Sequence, residues 1–152
     1  MTRTKANRIL IKLCNMIIKG QHKNSKKFGL VAACIIDPFG SMVAKTSQSH
    51  GDTWAHAERV AISAYKDKYG EIPANSIIIT TLSPCNEKHD KTAKERFGSS
   101  CTDLINDLGI RNVYCGYIDP TQNNEHNSFT CYETNNTELK QVCQKISNLF
   151  LT

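Results

Sequence analysis

Four side chains of types that bind metal ions or carry protons are spaced so that they could work together. A histidine and a glutamate stand two positions apart in His56-Ala57-Glu58, and Cys85 and Cys101 follow later in the chain. One imidazole and two thiolates form a zinc ligand set that leaves the fourth tetrahedral position open to water. Zn²⁺ brings the pKa of such a water from about 15.7 to near 7. Glu58, which is not needed as a ligand, is then the predicted proton carrier.

His56 and Glu58 lie at the start of a predicted helix. The pattern from His56 to Lys68 places apolar residues on one side and charges elsewhere, and Gly70 stops it. Residues two apart on a helix point about 200° apart. Both side chains therefore serve one site only if that site lies across the helix N-terminus, and the helix tip is predicted to border the pocket.

The two cysteines also lie at the ends of predicted elements. Cys85 follows Ser83-Pro84 after Ile77–Leu82, a continuously apolar and β-branched run typical of a strand covered on both faces. Cys101 follows two candidate N-caps, Ser99-Ser100. A cysteine at a helix N-terminus is favoured as the thiolate, the form that binds metal ions. The two cysteines are therefore predicted to approach the histidine at one end of the sheet.

Residues 86–100 separate the two cysteines and form an insertion with four basic and three acidic residues. This insertion is either a solvated loop or a lid that selects the substrate. It contains His89, four residues after Cys85, which is the alternative to Cys101 as the third metal ligand. The spacing alone leaves both ligand choices open.

The pattern along the rest of the chain predicts an α/β domain. The strand, helix and strand around Cys101 indicate a parallel crossover, with helices on both faces of a sheet. The further predicted elements are a helix over Lys5–Lys19 ending at Gly20, a hairpin of Leu30–Ile36 and Met42–Lys45 around Asp37–Gly40, a helix through Leu104 and Leu108 closing at Gly109, a strand over Val113–Ile118, a short edge strand near Phe129 within the loop 119–136, and a helix over Glu138–Leu151. In the last helix the expected inward residues are Leu139, Val142, Cys143, Ile146, Leu149 and Phe150.

Length and composition predict one domain over residues 1–152, with a basic helix and linker over residues 1–29. No apolar run approaches the about 20 residues of a membrane span, and no secretory signal is recognisable. We therefore expect a cytoplasmic protein without a membrane partner, whose seven cysteines are thiols or metal ligands. The cysteines on apolar faces, and hence expected in the core, are Cys14, Cys34, Cys115 and Cys143.

His-x-Glu, Pro84-Cys85 and a second cysteine together resemble the signature of the cytidine deaminase superfamily. The order of hairpin, helix, buried strand, ligand helix and strand is similar to that superfamily over roughly Phe28 to Pro120. The resemblance implies a cytidine deaminase-like fold, which is a three-layer α/β/α domain with a central mixed sheet. It also implies Zn²⁺ as the cofactor, hydrolytic removal of an amino group, and assembly as a homo-oligomer.

The wide gap between the cysteines is similar to the pyrimidine deaminase of riboflavin biosynthesis, where a Gly-Arg-Thr-Pro-Pro-like segment precedes the second cysteine. Arg96 opens the corresponding segment here, and His50-Gly51 precedes His-Ala-Glu as in that branch. Ser83 stands where the branch usually has a glutamate before Pro-Cys. The resemblance implies substrate contacts from His50, Ser83 and Arg96. Trp54, the only tryptophan, either stacks on a heteroaromatic base or simply packs.

The predicted reaction converts an aromatic amine of a pyrimidine-type nucleoside, nucleotide or biosynthetic intermediate to a carbonyl and releases ammonia. The alternative is a deaminase that acts on cytosine or adenine within RNA or single-stranded DNA. Residues 1–29 carry eight Lys/Arg and no acidic residue, and such a segment favours phosphate contacts. A third interpretation is an inactive zinc-stabilised interaction module, which would not need Glu58. A small nucleobase-containing substrate is the preferred partner, with nucleic acid as the alternative.

Overall fold

The computed structural model describes residues 1–21, 30–50, 53–86, 99–120 and 128–151. Four helices and seven strands lie in these ranges. In chain order they are α1 (Arg3–Gln21), β1 (Ala32–Ile36), β2 (Met42–Thr46), β3 (Gln48–His50), β4 (Thr53–Ala55), α2 (Ala57–Tyr69), β5 (Ile77–Leu82), α3 (Cys101–Asp107), β6 (Asn112–Tyr117), β7 (Thr130–Glu133) and α4 (Thr137–Leu151).

The main sheet has five strands in the order β2-β1-β5-β6-β7. Strand β1 runs antiparallel to both of its neighbours, whereas β5, β6 and β7 are mutually parallel. The sheet is therefore mixed, and α3 lies in the predicted crossover between the parallel strands β5 and β6. Because β5 occupies the centre, its carboxyl end can deliver residues to a site between neighbouring loops.

Helices cover both faces of the main sheet. Helices α1 and α4 pack on one face around Leu10, Leu13, Ile79 and Cys143. Helices α2 and α3 pack on the other face, in a second core that includes Ile35, Ile62, Tyr65, Ile78, Ile105 and Val113. The side chains of β5 alternate between the two faces of the sheet, which explains why this strand carries no charged residue and is buried on both faces. The predicted three-layer α/β/α fold with a mixed sheet is confirmed.

The turn between β1 and β2 also orients α2. The Asp37 carboxylate accepts hydrogen bonds from the backbone N–H groups of Phe39 and Ser41, at 2.9 Å each. Its other oxygen accepts from the Tyr65 hydroxyl of α2 at 2.6 Å, and this bond lowers the pKa of Asp37. The helix that follows the predicted metal ligand His56 is therefore tied to the hairpin by a buried hydrogen bond.

Several boundaries differ from the sequence prediction. Helix α1 passes through Gly20 and ends at Gln21, because one glycine costs a helix only about 1 kcal/mol. Helix α2 begins at Ala57, and His56 is its N-cap with extended backbone angles. Strands β3 and β4 form an antiparallel hairpin of their own that was not predicted, since three residues per strand show too little alternation.

The C-terminal region confirms one prediction and corrects another. The edge strand expected near Phe129 exists as β7, paired in parallel with β6. In α4, Leu139 and Cys143 are buried as expected, but Val142 and Leu149 are 42% and 58% exposed. These two residues are seven positions apart and lie on the same side of the helix. The face of α4 that the sheet covers is narrower than the predicted apolar face and leaves this side exposed. The predicted core positions of Cys14, Cys34, Cys115 and Cys143 are confirmed.

Among the helices of the described residues, none is long and apolar enough to cross a membrane.

Candidate metal centre and active site

Three elements bring the predicted ligands together. His56 directly precedes α2, Cys85 follows β5, and Cys101 is the first residue of α3. One ligand atom from each residue lies within 4.8 Å of the others, and His56 Nδ1 is 3.5 Å from Cys101 Sγ. Zinc bonds of about 2.1 Å to nitrogen and 2.3 Å to sulfur at a tetrahedral angle place these two atoms about 3.6 Å apart. The donor set and its spacing therefore fit one zinc ion.

A capping box holds the start of α3 in place. The Ser100 hydroxyl accepts from the Asp103 N–H at 3.1 Å, and the Asp103 carboxylate accepts from the Ser100 N–H at 3.3 Å. The first turn of the helix then directs the Cys101 N–H to Cys85 Sγ at 3.3 Å, and the Thr102 N–H to the Cys85 carbonyl at 3.0 Å. The predicted N-cap at Ser100 is confirmed, and it fixes the two cysteines relative to each other.

The electrostatics of the site favour a thiolate at Cys85. A hydrogen bond from the Cys101 side chain, helped by His56, lowers the pKa of Cys85 to about 6 although burial acts in the opposite direction. The neighbouring Cys85 sulfur and complete burial raise the pKa of Cys101. Near neutral pH the metal-free pair therefore retains one proton on Cys101, which a zinc ion would displace.

Glu58 lies in the first turn of α2 and is only 3% exposed. Its carboxylate raises the pKa of Cys101, which shows that its charge acts on the ligand cluster. Its Oε1 atom accepts a hydrogen bond of 3.1 Å from the hydroxyl of Thr80 on β5. His56 is outside the helix rather than in its first turn, so the 200° separation that a helix imposes does not apply to this pair. Both side chains can therefore reach the helix tip.

Ser83 joins the ends of the two central parallel strands. Its N–H donates to the Tyr117 carbonyl at 2.9 Å, and its hydroxyl oxygen accepts from the Asp119 N–H at 2.9 Å. Ser83 and Asp119 are both buried. Where the riboflavin branch usually has a glutamate, this chain has a short side chain engaged with the backbone, and the predicted contact of Ser83 with substrate stays a prediction.

The other predicted substrate residues lie in the β3–β4 hairpin and in the segment between the two cysteines. His50 and Trp54 belong to the small β3–β4 hairpin, in which His50 pairs with Thr53. This hairpin leads directly into His56. Arg96 and the alternative ligand His89 fall in residues 87–98, outside the described part of the chain. The roles of all four residues therefore remain predictions.

Two residues that contact this region were missed by the sequence analysis. Thr80 is a buried polar residue inside an isoleucine-rich strand, and that composition was the available signal. Arg59 directly follows Glu58, and its Nη2 atom donates to the carbonyl and the hydroxyl of Ser99 at 2.7 and 3.3 Å. Arg59 thus links α2 to the residue before the N-cap of α3, so one side chain ties together the elements that carry His56 and Cys101.

The fold and this cluster define an α/β domain with a His/Cys/Cys group that could hold a metal ion. Residues 5–117 match the family model described as the cytidine and deoxycytidylate deaminase zinc-binding region, and the chain belongs to that family. The predicted membership of this superfamily and the zinc-binding character of the domain are therefore confirmed. A sequence search of curated proteins finds no match.

Solved structures share the fold. A diaminohydroxyphosphoribosylaminopyrimidine deaminase/5-amino-6-(5-phosphoribosylamino)uracil reductase from Thermotoga maritima superposes with a TM-score of 0.69 at 22% identity, covering 98% of this chain and 42% of that protein. This chain therefore spans less than half of that protein. A transfer RNA deaminase that edits A to I at the wobble position superposes with a TM-score of 0.63 at 16% identity, covering 91% of this chain and 99% of that protein. The Rib2 deaminase of Aspergillus oryzae superposes with a TM-score of 0.62 at 14% identity, covering 96% of this chain and 98% of that protein.

Proposed function

We propose that this protein is a zinc-dependent hydrolytic deaminase of a small nucleobase-containing compound. Its reaction replaces an aromatic amine of a pyrimidine-type nucleoside, nucleotide or biosynthetic intermediate with a carbonyl and releases ammonia. The observation that carries the proposal is the convergence of His56, Cys85 and Cys101 within 4.8 Å, beside the buried Glu58. Membership of a zinc-binding deaminase family supports it.

Each residue has a separate role in this proposal. His56, Cys85 and Cys101 would hold a zinc ion, which would supply a Lewis acid that lowers the pKa of a water molecule. Glu58 removes a proton from the attacking water and passes it to the nitrogen of the leaving amine. The water oxygen bonds to the ring carbon, the second water proton passes to the ring nitrogen, the bond from that carbon to the amine breaks, and ammonia departs to leave a carbonyl. Glu58 therefore acts by proton transfer and is not a ligand.

A small substrate is favoured by the arrangement of the cysteines. The wide gap between Cys85 and Cys101 is similar to the riboflavin branch, and the Thermotoga neighbour is named as a deaminase of an aminopyrimidine. We assign substrate contacts to His50, Trp54, Ser83 and Arg96, which precede the ligands in sequence. Within the proposal, the segment between the cysteines selects the compound, because it joins the two elements that carry them.

A second candidate is a deaminase of a base within a polynucleotide, and the outer side of α1 favours it. Lys5, Arg8, Lys12 and Lys19 are all exposed there, and their spacing places them on one stripe. At a rise of 1.5 Å per residue the stripe spans about 21 Å, enough for several phosphates of a nucleic acid. One of the structural neighbours is named as a transfer RNA deaminase.

Ammonia release from a panel of compounds distinguishes the two candidates. The panel holds free cytosine and adenine compounds, pyrimidine biosynthetic intermediates, single-stranded DNA and RNA, each at several salt concentrations. We expect turnover of a small molecule with little salt dependence, unchanged when Lys5, Arg8, Lys12 and Lys19 are all replaced by Gln. Turnover confined to nucleic acid, falling steeply with salt and lost in that variant, would establish the second candidate instead. Zinc-loaded Glu58→Gln is the inactive control.

A further inference from the structure

Thr80 presents its hydroxyl to two acceptors at once. It lies in the central strand β5 and is 0% exposed. It is two residues after Ile78 and therefore shares the face of the sheet that α2 covers. Its Oγ1 atom is 3.1 Å from Glu58 Oε1 and 2.9 Å from the Leu82 carbonyl oxygen. A polar group buried this completely is retained only if it is hydrogen-bonded, and here one of its partners is the proposed proton carrier.

One hydroxyl cannot donate fully to both acceptors, because it carries a single hydrogen and two lone pairs. While Glu58 is a carboxylate, the hydroxyl donates to Oε1. Proton transfer at the other oxygen, Oε2, leaves Oε1 an acceptor, so the hydroxyl can go on donating to it. The contact between Thr80 and Glu58 can therefore persist in both forms that the proton carrier adopts during turnover.

We propose that Thr80 is a positioning residue for Glu58, and this inference rests on the proposed function. The hydroxyl holds Oε1 against β5 throughout the reaction and leaves Oε2 for proton transfer with the reacting atoms. Leu82, the second partner, is followed by Ser83-Pro84 and then Cys85. The same hydroxyl thus fixes the carboxylate relative to the strand end that carries a metal ligand.

The neighbouring residue provides a matched control. Thr81 is also a fully buried threonine of β5, but its hydroxyl accepts from the Ala32 N–H at 3.2 Å. Thr81→Val therefore removes a buried hydroxyl from the same strand without touching Glu58. Thr80→Val keeps the shape of the side chain and deletes the hydroxyl, whereas Thr80→Ser keeps the hydroxyl.

Steady-state kinetics of the zinc-loaded proteins test the proposal, using a compound that the wild type deaminates. We expect Thr80→Val to lower kcat about 10- to 100-fold, the factor that corresponds to losing a hydrogen bond to a charged group. KM, zinc content and the circular dichroism spectrum should stay at wild-type values. Thr80→Ser should recover most of kcat, and Thr81→Val should leave kcat unchanged. A wild-type kcat in Thr80→Val, or an equal loss of kcat in Thr81→Val, overturns the proposal.

A crystallographic comparison tests the same contact without any substrate. In zinc-loaded Thr80→Val crystals we expect the Glu58 carboxyl group to rotate away from its wild-type position, and in Thr80→Ser to keep it. An unmoved carboxyl group in Thr80→Val overturns the positioning role, whether or not the protein is active. If instead the wild type releases no ammonia from any compound of the panel, the proposed function fails, and that result is separate from the position of the carboxyl group.

Discussion

Two of the three pairs of close cysteines in the described residues have different surroundings. Cys85 and Cys101 lie at the ends of β5 and α3, where His56 adds a third donor and the Cys101 N–H points at a sulfur. Cys14 and Cys143 meet at an Sγ–Sγ distance of 3.5 Å between α1 and α4, and both are buried in an apolar core. Among the described residues, only the first pair has a third donor that completes a metal-binding group.

The difference shows that proximity of two thiols does not make a metal site. In both pairs one thiol lowers the pKa of the other: Cys143 lowers that of Cys14, and Cys101 lowers that of Cys85. Burial opposes ionisation in both places. What the first pair has in addition is an imidazole and a position at the end of the central strand β5, where His56 and Cys85 are only partly buried. Changes at the first pair are therefore expected to have larger effects than changes at the second.

The largest expected effect is the loss of zinc from the first pair. Purified wild type should contain one Zn²⁺ per chain, and His56→Ala, Cys85→Ala and Cys101→Ala should each lower zinc affinity by more than about 100-fold, since even residues outside the ligand set change it 10- to 100-fold. Cys143→Ala is the matched control and should keep its zinc. Mass spectrometry measures the zinc content, and competition with a chelator measures the zinc affinity. Loss of zinc in His89→Ala, with full zinc in Cys101→Ala, would make His89 the third ligand.

Glu58→Gln tests the separation of proton transfer from metal binding. The variant should fold and retain zinc, because Glu58 is not a ligand, while kcat falls about 10²- to 10⁴-fold from the loss of acid–base catalysis. Ammonia release and metal content are measured on the same preparation. Wild-type turnover in this variant would show that the mechanism is wrong, and loss of its zinc would show that Glu58 takes part in the ligand set.

The pH dependence of zinc affinity follows from the two shifted thiol pKa values. The pKa of Cys101 is raised, so near neutral pH zinc binding must displace one proton, and affinity should fall about tenfold per unit as the pH decreases. Below the pKa of Cys85, about 6, a second proton competes, and the slope should reach about 100-fold per unit or more, since the histidine ligand must also be neutral to bind zinc. Chelator competition between pH 5 and 8 measures the slope. A slope that does not steepen in acid would contradict the thiolate at Cys85.

The smallest effect concerns the second pair and leaves the metal centre intact. A methyl group at Gly116 would collide with Cys143 Sγ and would lie 3.1 Å from the Thr81 carbonyl oxygen. Gly116→Ala should therefore lower the free energy of unfolding by about 1–3 kcal/mol, as overpacked cores do, while zinc content stays at one per chain. In a Cys143→Ala background the same change should cost less, because the sulfur is absent. Urea denaturation of the four proteins measures the difference, and equal costs would show that Cys143 is not the obstacle.

Local patterns accounted for much of the fold. The bounds of β5 were predicted as Ile77–Leu82 and found there, because a buried central strand is apolar on both faces. The cap at Ser100 was predicted from residue type and confirmed by its capping box with Asp103. The short hairpin of β3 and β4 was missed, and the exposed Val142 was misplaced, because both depend on which surfaces the rest of the chain covers.

The sequence by itself determined the chemistry that this site can perform. Imidazole, thiolate and carboxylate are groups of single side chains. Their positions at the end of a strand or the start of a helix follow from the residues next to them in sequence. Only the tertiary structure decided which of them act together. Thr80 meets Glu58 because α2 packs on β5, and Arg59 reaches Ser99 because α2 lies beside the start of α3. It likewise brought Cys14 to Cys143, 129 residues away, and left them without a third donor in the described part of the chain. Contacts between residues so distant in sequence arise from the packing of whole elements, which no pattern along the chain records.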